Sequence, residues 1–99
     1  METEKLTLEE IRARIDVIDS EMKQIFLSRM EMSDAVALLK AESGDPVYRP
    51  EREKAMLDRL AVDVEPRFQN SYIRFLKEIL DISKEYQQDK LSRLKNQKQ

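Results

Sequence analysis

From Leu8 to Leu39 large side chains recur at alternating spacings of three and four: Leu8, Ile11, Ile15, Ile18, Met22, Ile25, Arg29, Met32, Val36 and Leu39. Only an α-helix brings such positions onto one line, and a heptad-like seam of this length asks for another helix beside it. Thr7-Leu8-Glu9-Glu10 supplies the start as a capping box, the Thr7 hydroxyl accepting from an early amide while Glu10 reaches back. The spacing predicts one helix over about 7 to 41, roughly 50 Å long at 1.5 Å per residue.

Gly44 and Pro46 stop that helix, and Pro50 suits the first turn of a second over about 50 to 62, where a fixed helical φ is useful and a missing N–H costs nothing. The apolar face of the second helix is Met56, Leu57 and Leu60, with Glu53 on the same face. Pro66 opens a third helix to about 91. It carries one stripe of Tyr72, Phe75, Ile79, Ile82 and Tyr86, and another of Ile73, Leu76, Leu80, Ser83 and Gln87. After Tyr86 the segment QQDKLSRLKNQKQ loses that apolar period and is expected to fray into a solvated tail over 91–99. With a single glycine, three prolines and few aromatics, the chain reads as all-α: three helices in one small domain with a core over about 6–90.

A chain of 99 residues buries only somewhat more than about 60% of its unfolded surface, so a partner subunit would help. The formal net charge of −2 offers no general attraction for nucleic acid or anionic lipid, so any anion site must be local. The absence of cysteine and histidine removes disulfides, thiolate chemistry and the usual zinc and iron ligands. METEKLTLEE has no apolar signal segment and no apolar run approaches ~20 residues, so the expectation is a soluble cytoplasmic protein with no membrane partner.

The residues that interrupt the stripes carry the chemistry. An unpaired guanidinium at the Arg29 seam position is costly, so it should face a carboxylate or an anionic ligand. At about 100° per residue Arg29 and Lys40 point within roughly 20° of one another, while Arg12 lies about 80–100° away around the helix. Arg29 and Lys40, about 16 Å apart along the axis, can lean towards one small ligand, whereas Arg12, about 25 Å from Arg29, can join only from an antiparallel copy of the helix. Ser83 and Gln87, at i and i+4, project together from the third helix, and Glu53 projects from the second. These groups offer cations for carboxylates, an acceptor for a hydroxyl and neutral donors for an ether or carbonyl oxygen, with no nucleophile beside a base. Taken singly, each favours a structural role: a seam arginine more often makes an interface salt bridge, and Asp19 lies on the Arg12 face.

The order of I-R-A-R-I-D-V-I-D (11–19), R-M-E-M-S-D-A-V-A-L-L-K (29–40), P-V-Y-R-P-E-R-E (46–53) and I-L-D-I-S-K-E-Y-Q (79–87) resembles the all-helical chorismate mutases of bacteria, over about residues 6 to 90. The resemblance implies an intertwined homodimer whose long first helices pair, with two active sites each completed by an arginine of the other subunit. By motif position Arg12 looks like that donated arginine, and Arg29 and Lys40 like the pair that grips the substrate carboxylates. Glu53 is similar to the acceptor for the ring hydroxyl, Ser83 resembles a further substrate contact, and Gln87 with Lys40 resembles the pair that hydrogen-bonds the ether oxygen. The reaction implied is the Claisen rearrangement of chorismate to prephenate, on the route to phenylalanine and tyrosine, without cofactor or metal.

Where many members have Asp before Pro-Glu-Arg-Glu, this chain has Arg49, which removes a favoured helix N-cap; substrate binding survives if the family's contact there is the main-chain N–H, and activity falls if the Asp side chain orients Arg52 or Glu53. Two other functions fit the same residues. Isochorismate pyruvate lyase would use a similar cationic pocket, with Glu53 favouring the mutase, and a helical dimerisation or regulatory module would need no catalysis at all.

Overall fold

The computed structural model describes residues 5–97 and contains three helices, α1 (Leu8–Ser43), α2 (Pro50–Leu60) and α3 (Pro66–Gln97). No strand occurs among the described residues, so the fold is all-α with the three elements expected. By its internal contacts the chain divides into two compact units, Met1–Glu31 and Met32–Gln99.

The first unit carries the start of α1, and the capping box forms as anticipated. The Glu10 amide donates to Thr7 Oγ1 at 3.1 Å, and Glu10 Oε1 accepts from the Thr7 amide at 3.0 Å. Those bonds hold the Glu10 carboxyl below its ordinary pKa, the backbone one contributing most and the side-chain one next. A depressed carboxyl stabilises the fold above its unfolded pKa, and this contribution fades as pH falls through the folded value. The apolar seam residues of this unit are exposed within the chain, from 40% at Ile11 to 69% at Ile25.

In the second unit α1 buries a different face. Ser33 and Ala37 are 5% and 0% exposed, while the seam residues Met32 and Leu39 remain 62% and 66% exposed. An i, i+4 pair of small residues lets a neighbouring helix come close, and α3 answers with Leu76, Ser83 and Gln87, all buried on one face. The Ser33 and Ser83 hydroxyls lie 2.6 Å apart. Next to Ser33, Asp34 accepts from the Tyr86 hydroxyl at 2.6 Å and the Lys90 ammonium at 2.9 Å. The core here is small and half polar, with its hydroxyls and carboxamide hydrogen-bonded to one another.

Glycine ends α1 as expected. Gly44 adopts φ +80°, and its amide donates to the Lys40 carbonyl at 2.8 Å, a left-handed cap that a residue with a Cβ resists. Pro50 opens α2, whose half-buried face is Glu53, Met56, Leu57 and Leu60. Arg49 occupies the N-cap with no side-chain capping bond; its carbonyl takes the Arg52 and Glu53 amides at 3.1 Å each, and its guanidinium pairs with Glu51. Arg49→Asp is therefore expected to stabilise the fold by about 1 kcal/mol, because the new cap outweighs an exposed ion pair. Chemical denaturation checks this, and an unchanged or lower midpoint would refute it.

One boundary departs from the sequence reading. α3 does not fray after Tyr86 or end near 91; it continues to Gln97. Lys90 is anchored to Asp34, and Leu91 and Leu94 are half-buried, so the face of Ser83 and Gln87 extends along the helix where the neighbouring stripe stops. Leu, Lys, Arg and Gln are also good helix formers.

Candidate active site

Lys40 stands in the last turn of α1, and the Gly44 turn brings the following loop back towards it, so that its ammonium donates to the Val47 carbonyl at 3.1 Å. Its pKa is pushed below the usual lysine value, first by burial and then by the charge of Arg49, with Arg52 adding to the effect and Asp45 opposing it. Three cations are thus crowded together in a chain of net charge −2. An anion placed among them would relieve that repulsion.

Glu53, in the first turn of α2, meets Lys84 of α3 at 3.1 Å, the two side chains 21% and 24% exposed. The Lys84 ammonium also lies 3.4 Å from Asp81 and 4.6 Å from the centre of the Tyr48 ring. Burial works against its charge, but the hydrogen bond and charge of Glu53, then those of Asp81, hold its pKa above the ordinary value. A carboxylate has about four acceptor sites, so this pairing leaves Glu53 able to accept from a hydroxyl.

On α3 the Gln87 Nε2 donates to Ser83 Oγ at 3.1 Å, while the Gln87 Oε1 is buried without a partner. An orphaned buried carbonyl costs roughly 1–3 kcal/mol. Turning the carboxamide about its last torsion exchanges the two ends: Ser83 can then donate to Oε1, and Nε2 becomes free for an acceptor. The group is a neutral donor that does not titrate.

These contacts form one continuous run. Lys40 touches Val47, the next residue Tyr48 covers Lys84, Lys84 holds Glu53, and Ser83 precedes Lys84 on the helix that carries Gln87. Residues 11–88 match the family model described as chorismate mutase type II. The chain belongs to that family.

Two curated relatives share 40% identity with the chain. One is the T-protein of Haemophilus influenzae, over 58 residues that make up 59% of this chain and 15% of the relative. The other is the chorismate mutase of Methanocaldococcus jannaschii, over 53 residues that make up 54% of each. The chain thus spans 15% and 54% of the lengths of these relatives. No solved structure matches it significantly.

Of the residues singled out in the sequence, Lys40, Arg49, Glu53, Ser83 and Gln87 all belong to the second unit, whereas Arg12, exposed, and Arg29, half-buried, belong to the first. Three others escaped the sequence reading. Ser33 lies seven residues before Lys40, within roughly 20° of it on the helix, and that shared face was a usable signal. For Arg52 and Lys84 the deciding neighbours, Lys40 and Glu53, come from other elements.

Proposed function

We propose that this chain, as a member of the chorismate mutase type II family, converts chorismate to prephenate. The observation that carries the reading is the run of contacts that joins Lys40, Glu53, Ser83 and Gln87 in a chain of this family, with Arg49 and Arg52 adding positive charge near Lys40 for a substrate that bears two carboxylates. In this reading Arg29 and Lys40 grip the carboxylates, Arg12 arrives from a second subunit, and the Arg49 main-chain N–H adds a contact. Glu53 accepts from the ring hydroxyl, with Ser83 a further contact.

The rearrangement is intramolecular: one C–O bond breaks while one C–C bond forms, with no proton transfer and no covalent intermediate. What the protein can contribute is a folded-over substrate conformer and donors aimed at the ether oxygen, where negative charge grows. Lys40 and the freed Nε2 of Gln87 take that second role. No helix among the described residues is long and apolar enough to cross a membrane, in keeping with a cytoplasmic setting.

The assembly we infer is a homodimer in which a second copy covers the exposed α1 seam. Its support is the contrast between seam side chains as exposed as Ile25, at 69%, and the energetic cost of leaving a heptad-like row in water. Both units then belong to one domain completed by its partner.

Incubating the purified chain with chorismate tests the reading, and prephenate is the expected product. Pyruvate from isochorismate without prephenate from chorismate would instead establish the lyase, and turnover of neither would leave a non-catalytic helical module.

A further inference from the structure

Glu53 does not stand alone. Its carboxylate sits 3.1 Å and 3.5 Å, through its two oxygens, from one ammonium, that of Lys84, thirty-one positions along the chain. That ammonium is itself fixed from two further directions, by Asp81 at 3.4 Å and by the Tyr48 ring face at 4.6 Å. An ammonium has three donors, and a ring face adds a non-directional attraction, so the four groups hold one another in place.

We propose that Lys84, steadied by Tyr48, is a positioning residue that aims Glu53 at the substrate's ring hydroxyl. The inference rests on the mutase reading, because it gives Glu53 the hydroxyl to recognise. Lys84 grips the carboxylate from the α3 side, closest to Oε2. This fixes the torsion of a side chain that could otherwise turn on three rotatable bonds, and leaves acceptor positions on the opposite side for the hydroxyl. Lys84 also adjoins Ser83, so one short stretch of α3 orients both Glu53 and the hydroxyl chain that ends on Gln87. Two nearby cations are engaged elsewhere: Arg49 is paired with Glu51, and Lys40 is bonded to Val47.

The test is a double-substitution cycle on the full chain with two substrates, chorismate and its analogue lacking the ring hydroxyl. Lys84→Met should lower kcat/KM for chorismate about tenfold, a typical coupling for contacting residues, and Lys84→Arg should recover most of it. In the Glu53→Gln background Lys84→Met should add less than about a twofold loss. The preference for chorismate over the deoxy analogue should shrink in Lys84→Met, whereas a merely structural role would slow both substrates alike. Equal losses on the two substrates, or full additivity with Glu53→Gln, would overturn the proposal. Wild-type chain inactive on chorismate would defeat the mutase reading instead. The Lys84–Glu53 clamp is then judged by denaturation midpoints of the same four proteins, where additive shifts would overturn it too. Lys84→Gln serves the same cycle should the methionine variant fail to fold.

Discussion

Lys40→Ala is expected to lower chorismate turnover by about a hundredfold or more while leaving the chain folded. The magnitude follows from removing one preorganised charged donor from the place where negative charge develops, typically worth on the order of 10²–10³ in rate. Stability should respond far less. The ammonium donates a hydrogen bond to the Val47 carbonyl, and its loss is partly offset because the repulsion from Arg49 and Arg52 disappears with the charge. Arg29→Ala should behave in the same way. Steady-state kinetics beside a thermal melt separates the two effects. Wild-type turnover in folded Lys40→Ala would reject Lys40's role, and an activity loss that merely tracked unfolding would reject the claim that it is electrostatic.

Mixing two inactive proteins should restore activity. If Arg12 serves the partner's site while Lys40 serves its own, a dimer of one Arg12→Ala and one Lys40→Ala subunit contains one intact site, with both defects gathered in the other. Random reassortment makes about half of the dimers mixed, so about a quarter of the wild-type activity should return. The effect is large because each parent is nearly silent, and it requires no new contact. Activity that stays at the level of the parents after verified subunit exchange would exclude donation of Arg12 across an interface. Recovery well above a quarter would mean that mixed dimers form in preference to the parental ones.

Much of the fold was legible because its signals are local. The Thr7–Glu10 box, the left-handed Gly44 and Pro50 at the first turn of α2 each depend on φ angles and bonds spanning about four residues, and each is found where the sequence puts it. The end of α3 was misread because what extends it is a contact between Lys90 and Asp34, far apart in the chain. The polar break at Ser83 and Gln87 stood out as an i, i+4 pair inside an apolar stripe. Its partner Ser33, fifty positions away, shares a helix face with Lys40, but nothing local ties it to Ser83.

Periodicity, caps and punctuation in the sequence by themselves determined three helices, their order and the residue types available for chemistry, because those properties rest on neighbours within a turn or two. Only the tertiary structure decided which face of α1 is buried in the second unit, that Glu53 is held by Lys84, and that Lys40 shares its surroundings with Arg49 and Arg52. Burial, ion pairing and electrostatic potential depend on distances between elements, and helical spacing leaves those distances open until the helices pack.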